Sequence, residues 1–596
     1  MICRKFLMVV CAVVPLFAFA ERDARAAVIT NAADAERTGW YPDQQSLTPT
    51  LVSSPGFTRR FDVTLNGQIY AQPLVAKNIL IIVTQSNYVY GIDYETGNLM
   101  WTRQVGPAWN TGSLGCTDLQ PTSGITSTPV IDESTDTAYF TNKTYVTGSS
   151  GPAAWYMHAV DIHTGAERAN FPVRIQGNAT NNTAQAFNAD QHLQRPGLLL
   201  MDGVVYAAFG SHCDASPWQG WVIGVTTAGA MKTLWVTRSG TNQFGAAIWG
   251  SGGGLVSDGS GRIFLSTGND GTPTTPTPGT SPPANLGESV VRLQVQALGN
   301  LQAADFFTPK NAASLDAGDI DLASGSPISL PSAYFGNALA PHLLVEVGKD
   351  GNVYLLNRDS LGGFKQASGQ GDLIVNNCGK YGGVWGRPAV WPGNGGYMYI
   401  PTVSTGTGGD GSTGFLEVFA QGVDGTGKPI FTKVARSTDA FGYGASPPVV
   451  SSAGTTSGSA LVWVIWSADL SGANAQLRAY DALPVAGAPV LRWSSVIGTR
   501  TKFNPPGLAN GMVFIGNRDG HVMAFGPPAL QLTLSKVAAS GAVRLQWTGG
   551  NAPFTVTRAL NPGFSSSPAT LQDHQPATSL NDPVLNDGKN YFYLVK

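Results

Sequence analysis

Charge is scarce in this chain and almost evenly balanced. Asp, Glu, Lys and Arg make up 12% of the 596 residues, and 36 basic residues against 38 acidic ones give a formal net charge of −2. A protein that binds a nucleic-acid backbone needs a basic excess to neutralise the phosphates. The composition therefore gives no reason to expect nucleic acid as a partner.

Cysteine is equally scarce, and its spacing excludes two redox motifs. The chain has five cysteines and contains neither C-x-x-C, typical of thiol redox centres, nor C-x-x-C-H, the attachment motif of covalent haem. Two of them lie in the first 20 residues, which leaves Cys116, Cys213 and Cys378. Three thiols allow at most one disulfide and leave one thiol free, and the sequence does not choose the pair.

Long apolar runs are confined to the N-terminus. Arg4-Lys5 followed by the apolar run from Phe6 to Ala20 predicts a signal peptide over residues 1–20, with cleavage near Ala20 or, alternatively, Ala26. This run is too short to span a bilayer, which takes about 20 apolar residues. We therefore expect a secreted or periplasmic protein without a membrane span, and residues 21–56 as a polar extension on its surface.

What the chain does have is a short unit that recurs eight times. In its fullest copy Gln72-Pro-Leu-Val75 precedes the apolar run Ile79 to Val83, the segment Tyr88 to Asp93, a Thr-Gly turn and Trp101. The second residues of the copies are 56, 67, 57, 74, 61, 59 and 59 residues apart. These residues are Pro73, Pro129, Pro196, Gly253, Pro327, Pro388, Pro447 and Pro506. Such a period indicates one supersecondary unit repeated along the chain.

Each unit reads as four short strands, which predicts an all-β, eight-bladed β-propeller over residues 57–526. An array of β-sandwich domains would also give many short strands, but it would need linkers, and none separates the copies. The last copy shows only three strands, and one strand from Phe57 to Leu65 precedes the first copy. We expect this strand to complete the eighth blade and close the ring, which removes open sheet edges.

Residues 529–596 follow a different pattern after Pro527-Pro528. Three segments ending at Trp547, Arg558 and Val595 alternate like the strands of a small β-sandwich. A Trp on an early strand and a Tyr pair on a late one resemble a fibronectin type III module. The seventh strand of such a module is missing, so we expect an incomplete module that acts as a spacer.

The repeat resembles that of a known superfamily. Gly91 to Trp101 is similar to the A-x-D-x-x-T-G-x-x-x-W docking repeat of the pyrroloquinoline quinone (PQQ) propellers, and Ala159 to Gly165 repeats its first half. The chain most resembles the extracytoplasmic bacterial PQQ-binding-like propeller proteins, over about residues 57–526. The resemblance implies the quinoprotein alcohol dehydrogenase-like propeller fold.

The same resemblance implies an enzyme less clearly. The dehydrogenases of the superfamily hold the quinone between a Trp and a disulfide of adjacent cysteines, and they bind Ca²⁺ through Glu, Asn and Asp. This chain has no Cys-Cys pair, and no compact set of residues matches the Ca²⁺ ligands. We therefore assign no catalytic residue, no metal ligand and no cofactor, and PQQ with Ca²⁺ remains the alternative.

The central funnel is the predicted binding site. The residue before each repeated Pro begins an innermost strand and should point towards the axis, and a Trp and a Lys lie a few residues upstream in two copies. Guanidinium and ammonium groups bind carboxylates, and indole offers a stacking face. The predicted cofactor-binding residues are Gln72, Arg195, Trp249, Arg387 and Lys502. Alternatively, the two arginines hydrogen-bond inner-strand carbonyls and fill the tunnel.

Two functions follow from these observations. The first is a noncatalytic, monomeric binding scaffold for a protein, a glycan or a small anionic ligand. The second is a PQQ-dependent dehydrogenase that oxidises an alcohol or a sugar and passes electrons to a separate acceptor. A role like that of the propeller lipoprotein of outer-membrane barrel assembly is disfavoured, because no lipobox precedes Cys11 and the C-terminal module is extra. The scaffold is favoured, since a fold alone does not make an enzyme.

Overall fold

The computed structural model describes residues 27–116, 118–240, 244–259, 261–271, 276–403, 414–528, 531–536, 543–549, 554–559, 569–582 and 592–595. The signal-peptide prediction lies outside the described residues. Strands dominate, and the helices are short. They are Pro49–Val52 and Ala312–Gly318, with 3-10 turns at Thr111–Leu114, Leu322–Ser324, Ser368–Gln370 and Gly393–Gly395.

Eight sheets of four or five strands, most of them built from consecutive parts of the chain, confirm the predicted eight-bladed propeller. Blade 1 is Leu74–Ala76, Ile79–Val83, Tyr88–Asp93 and Leu99–Gln104. Blade 2 is Val130–Asp132, Thr137–Tyr145, Ala153–Asp161 and Val173–Ile175. Blade 3 is Leu199–Met201, Val204–Ser211, Trp221–Thr226 and Met231–Val236, with His192–Leu193 added to its second strand. Blade 4 is Arg262–Ser266, Val290–Val295, Leu301–Thr308 and Gly363–Phe364, and Val256 bridges its inner edge.

The other four blades follow the same order from the axis outwards. Blade 5 is Ile328–Ser329, Leu343–Val347, Asn352–Asn357 and Asn376–Lys380. Blade 6 is Ala389–Trp391, Tyr397–Pro401, Leu416–Val423 and Pro429–Arg436. Blade 7 is Val449–Ser451, Leu461–Trp466, Ala475–Asp481 and Leu491–Gly498. Blade 8 is Gly507–Ala509, Met512–Gly516, His521–Gly526 and Thr58–Thr64. The remaining propeller strands are Trp40–Tyr41, Trp109–Asn110, Thr122–Ser123, Asn178–Ala179 and Asn182–Ala186.

The ring closes as the sequence predicts. Thr58–Thr64 forms the outer strand of blade 8 and pairs antiparallel with His521–Gly526, in a register that sets Thr58 opposite Gly526 and Thr64 opposite His521. Residues 457 to 468 positions apart therefore pair in one sheet, and blade 8 is not left with an open outer edge.

Adjacent blades are joined by the docking repeat. The Asp93 carboxylate accepts hydrogen bonds from the backbone of Thr96 (2.8 Å) and from its hydroxyl (2.7 Å), which shapes the turn before the outer strand. Trp101 on that strand donates its indole N–H to the Ile162 carbonyl of blade 2, at 2.8 Å. A Cβ on Gly165 would lie 2.5 Å from the Trp101 ring, so the blades dock through a position that only glycine fits.

Part of the N-terminal extension, residues 28–44, lies against the inner strands of the ring, where we had expected it on the surface. Residues 28–44, here called the belt, hydrogen-bond the inner strands in blade order, since Val28 pairs with Val75 of blade 1 and Ile29 accepts from Ile131 of blade 2. The belt then forms hydrogen bonds with the next five blades in turn. They join Ala35 to Ser257 of blade 4, Glu36 to Ser329 of blade 5, Thr38 to Val390 of blade 6, Gly39 to Val450 of blade 7 and Gln44 to Gly511 of blade 8. Inner strands facing a channel present unpaired backbone groups, and the belt satisfies them.

Arg37 is the anchor of the belt. Its side chain is fully buried and donates to the carbonyls of Leu198 in blade 3 (2.8 Å) and Leu255 in blade 4 (2.9 Å). It also donates to the Thr30 hydroxyl at 2.7 Å and the Asn31 carbonyl at 2.8 Å, which folds the belt on itself. One guanidinium thus ties two blades to the segment that fills the channel.

The C-terminal region forms two three-stranded sheets. Their strands, in sheet order, are Gln531–Lys536, Val543–Thr548, Ser579–Asp582 and Ala569–Gln575, Phe554–Ala559, Phe592–Val595. Leu545, Trp547 and Val556 are buried. Two sheets with buried apolar side chains are compatible with the predicted sandwich, and its likeness to fibronectin type III remains a prediction.

Candidate funnel site

A polar cavity lies at the axis, on the side of the ring where the inner strands begin. The space enclosed there is small, about 20 Å³, and it opens to solvent. The lining residues come from the belt and from the starts of the inner strands of blades 1, 2, 3, 4 and 8. They are Asn31, Tyr70, Thr126, Thr128, Arg195, Gly252, Gly253, Lys502, Phe503 and Pro505.

Two cations of the cavity share one carboxylate. Arg195 donates to Asp118 Oδ2 at 2.7 Å, and the Lys502 ammonium contacts Asp118 Oδ1. The Arg195 side chain is only 9% exposed. Burial by itself would raise the pKa of the Asp118 carboxyl, but Arg195 and Lys502 outweigh burial and hold that pKa below its ordinary value. The carboxylate is therefore ionised at neutral pH.

Aromatic rings form the wall beside these cations. The Arg195 guanidinium lies 5.5 Å from the centre of the Phe503 ring, and Lys502 Nζ lies 5.3 Å from that of Tyr443. Tyr443 in turn packs edge-on against Phe503 and Trp385, with ring centres 6.0 and 5.1 Å apart. A flat anion bound here would meet both positive charge and ring surface.

Asp118 belongs to a segment that leaves the repeat between blades 1 and 2. Residues 107–122, here called the strap, carry the 3-10 turn Thr111–Leu114, and their ends pair as Trp109–Asn110 with Thr122–Ser123. A disulfide joins Cys116 of the strap to Cys213 of blade 3, and Cys378 is a buried free thiol. The structure thus chooses the pair that the sequence left open.

A buried lysine supports the strap from below. Lys143 Nζ lies 3.9 Å from the centre of the Trp109 ring and 3.0 Å from His212 Nε2. It also donates to the carbonyls of Asp190 (2.9 Å) and His192 (3.2 Å). Burial lowers the pKa of Lys143 well below its ordinary value. The strap is therefore fixed at two points, by Lys143 of blade 2 at Trp109 and by the disulfide to Cys213 of blade 3 at Cys116.

A second charged cluster lies on blades 3 to 5. Lys349 Nζ lies 2.6 Å from Asp321 Oδ2 and 3.3 Å from Asp319 Oδ1, and the Asn269 backbone donates to Asp321 Oδ1 at 2.9 Å. Burial, reinforced by repulsion from Asp321 and Asp319, raises the pKa of Asp214 to about 7. This carboxyl can therefore take up and release a proton near neutral pH.

Trp249 borders the second cluster and is absent from the cavity lining. A Cβ on Gly268 would lie 3.0 Å from its indole nitrogen, and one on Gly210 would lie 3.0 Å from its ring. Among the described residues, this buried nitrogen has no hydrogen-bond partner. Of the predicted site residues, the structure brings Arg195 and Lys502 together and places Trp249 apart from them.

Gln72 and Arg387 lie under the belt and do not line the cavity. Gln72 accepts from the Ala32 backbone at 2.9 Å and donates to the Tyr41 hydroxyl at 2.8 Å. Arg387 is fully buried and donates to the carbonyls of Pro388 and Pro448, at 3.0 and 3.1 Å. For Arg387 the structure matches the alternative that the sequence left open, an arginine that fills the tunnel.

The residues present fit the carboxylates of a quinone cofactor better than its metal. Arg195 and Lys502 are suitable partners for a tricarboxylate once Asp118 moves aside. Within the described ranges, however, no group of three or more His, Cys, Asp or Glu side chains could hold a metal ion. The only disulfide in these ranges joins cysteines that are 97 residues apart.

Comparison with known proteins identifies the fold. No protein-family model and no curated protein matches the chain. Among solved structures, the quinohemoprotein alcohol dehydrogenase from Comamonas testosteroni is 15% identical with a TM-score of 0.54, and 86% of this chain covers 83% of that one. The chain has the propeller fold of this dehydrogenase.

Two further structures agree. The quinohemoprotein alcohol dehydrogenase ADHIIG from Pseudomonas putida HK5 is 10% identical, with a TM-score of 0.51, and the match covers 86% of this chain and 83% of that one. A europium-containing methanol dehydrogenase is 12% identical with a TM-score of 0.53, and the match covers 84% of this chain and 98% of that one. At these identities the likeness concerns the fold alone. No helix in the described ranges has the length and apolar character of a membrane span.

Proposed function

We propose that this protein is an extracytoplasmic propeller that binds a small anionic ligand in its funnel and acts as a binding scaffold. One observation carries the proposal. Arg195 and Lys502, from blades 3 and 8, converge on a single carboxylate beside a polar cavity at the axis. A carboxylate between two cations marks the position that the negative group of a ligand would take.

The surroundings support binding of an anion with a flat body. Tyr70, Thr126 and Thr128 bring hydroxyl groups to the cavity, and Phe503 and Tyr443 bring ring surfaces close to the cations. Charge-assisted hydrogen bonds are stronger than neutral ones, and arginine binds carboxylates with both arms of its guanidinium. The C-terminal sheets would then serve as a spacer or an adhesive unit.

The test is a calorimetric titration of the full chain with PQQ as the probe anion, with and without Ca²⁺. We expect binding that weakens at least tenfold in Arg195→Ala and in Lys502→Ala. Arg492→Ala is the matched control. Arg492 lies on the outer strand of blade 7 and pairs with Asp481 of the neighbouring strand, so it takes no part in the funnel. No binding at tens of micromolar would contradict the proposal and direct the search to protein or glycan partners.

A second candidate is a PQQ-dependent dehydrogenase that oxidises an alcohol or a sugar. The cluster of Asp214, Asn269, Asp321 and Lys349 favours it, because a carboxyl whose pKa is about 7 can exchange the proton of a substrate hydroxyl. Bound PQQ would supply a two-electron acceptor. Lys349 would keep the Asp321 carboxylate in place, and the electrons would pass to a separate acceptor.

Dye reduction separates the two candidates. The chain loaded with PQQ is mixed with an artificial acceptor dye and a panel of alcohols and sugars. Turnover that falls at least a hundredfold in Asp214→Asn, with PQQ binding kept, would make the protein an enzyme. Binding without turnover on any substrate of the panel would support the scaffold.

A further inference from the structure

The cations of the funnel already have an anion of their own. Asp118 lies 77 residues from Arg195 and 384 residues from Lys502 in the sequence, and its two carboxylate oxygens contact one cation each. The Arg195 side chain is nine-tenths buried, and its Nε has no hydrogen-bond partner among the described residues. Asp118 thus holds this guanidinium through one of its terminal nitrogens.

The strap keeps this internal anion close to the cations. The disulfide to Cys213 lies two residues before Asp118, and the Trp109 ring rests on Lys143 at 3.9 Å. A group tethered next to its partner competes at an effective concentration that reaches the millimolar range and above. A free ligand must exceed this competition before it can bind.

We propose that Asp118 is an internal competitor that restricts the funnel to ligands with two or more adjacent anionic groups. The inference rests on the proposed function, since it takes the Arg195–Lys502 pair as the ligand site. A monoanion brings the same charge as Asp118 and gains nothing by replacing it. A polyanion can bind both cations through separate groups. The penalty of displacing Asp118 is the same for every ligand, so only a ligand with these additional contacts binds at low concentration.

Removal of the internal charge tests the proposal. The probes are benzoate and phthalate, which share a ring suited to the wall of Tyr443 and Phe503 and differ by one carboxylate. We expect the wild type to bind phthalate at least tenfold more tightly than benzoate. In Asp118→Asn the affinity for each ligand should rise at least tenfold, because neither ligand then has to displace a carboxylate from Arg195 and Lys502. Asp481→Asn removes the same charge on the third strand of blade 7 and should keep both wild-type affinities.

The outcomes distinguish this inference from the proposed function. If both ligands bind and their affinities are the same in Asp118→Asn and wild type, Asp118 is not a competitor, while the funnel remains a binding site. If neither ligand binds to either protein, the proposed function itself is wrong, and the inference falls with it.

A second variant tests the tether without touching the carboxylate. In the double variant Cys116→Ser/Cys213→Ser the strap is freed from blade 3, so the effective concentration of Asp118 falls. We expect benzoate to bind at least threefold more tightly than to wild type and hydrogen exchange in residues 118–122 to become faster. Unchanged benzoate affinity despite faster exchange would overturn the role of the tether.

Discussion

The side-chain amide of Gln72 donates a hydrogen bond of 2.8 Å to the hydroxyl of Tyr41. Gln72 begins the inner strand of blade 1, and Tyr41 belongs to the belt. Both side chains are buried, at 1% and 3% exposure. The bond therefore fastens the N-terminal segment to the ring, and it explains why a polar residue at the axis is a structural contact and does not line the funnel.

Removal of this bond should destabilise the protein. In Tyr41→Phe one N–H of the buried Gln72 amide loses its acceptor, and an unsatisfied buried donor costs about 1–3 kcal/mol. Urea unfolding measures the loss of free energy. Tyr88→Phe, at a half-buried tyrosine of blade 1, is the control and should lose less than half as much. Equal losses in the two variants would show that the Tyr41 bond is not special.

Arg37→Lys should destabilise the fold strongly. A lysine cannot reach the carbonyls of Leu198 and Leu255 at once, and hydrogen bonds from charged donors are worth about 1.5–3 kcal/mol each. We expect a loss of at least about 3 kcal/mol in urea unfolding. Arg59→Lys is the control, because Arg59 is half exposed beside Asp62, and it should change the free energy by less than about 1 kcal/mol. A loss below about 1 kcal/mol in Arg37→Lys would contradict the role of Arg37 in holding the belt to the blades.

Glu346 should make stability fall as pH rises. Its side chain is fully buried, and neither carboxyl oxygen has a hydrogen-bond partner among the described residues. Burial raises the pKa well above its ordinary value of 4.5. The folded state then keeps a proton that the unfolded state has released, so the free energy of unfolding drops by about 1.4 kcal/mol for each pH unit above the unfolded pKa.

Glu346→Gln removes this dependence. Below pH 4.5 the variant and the wild type should be similarly stable, and from pH 5 to 7 the variant should become the more stable one. Unfolding by urea across this range gives the difference, and Glu95→Gln at an exposed position should show none. A constant difference between pH 4 and 7 would contradict a protonated Glu346.

Loss of the disulfide should weaken the propeller. The bond closes a loop with a sequence separation of 97, for which the chain-entropy estimate is about 4.7 kcal/mol. Cys116→Ser/Cys213→Ser should lower the free energy of unfolding by about 3–5 kcal/mol. Cys378→Ala, at the buried free thiol, should cost less than about 2 kcal/mol. A similar loss in both variants would show that the bridge adds little.

The blades could be predicted because each repeat carries its own local instructions. Asp93, Thr96 and Gly97 form the turn before an outer strand, and Trp101 then docks on the next blade. These contacts lie within one repeat or between neighbours, so the pattern survives in the linear sequence. The strand at Thr58–Thr64 could be predicted from the missing strand of blade 8.

The funnel could be predicted only in part, because chain segments outside the repeat decide it. Arg195 and Arg387 occupy the same place in their repeats, yet the belt covers Arg387, while Arg195 faces the cavity. Asp118 was missed, since the strap has no repeat pattern and contacts distant in sequence, such as the Cys116–Cys213 disulfide, bring it to the axis. The spacing of residues in the sequence does not show that a segment leaves its own blade and contacts another.

The belt has a consequence for the order of assembly. Residues 28–44 are synthesised before every blade, yet their hydrogen-bond partners extend to Ser452 and to Gly511. They cannot settle until the last blade exists, and contacts between such distant parts of a chain form slowly. The belt is thus synthesised before the blades and reaches its final position after them, so its full set of hydrogen bonds forms only when the ring is complete.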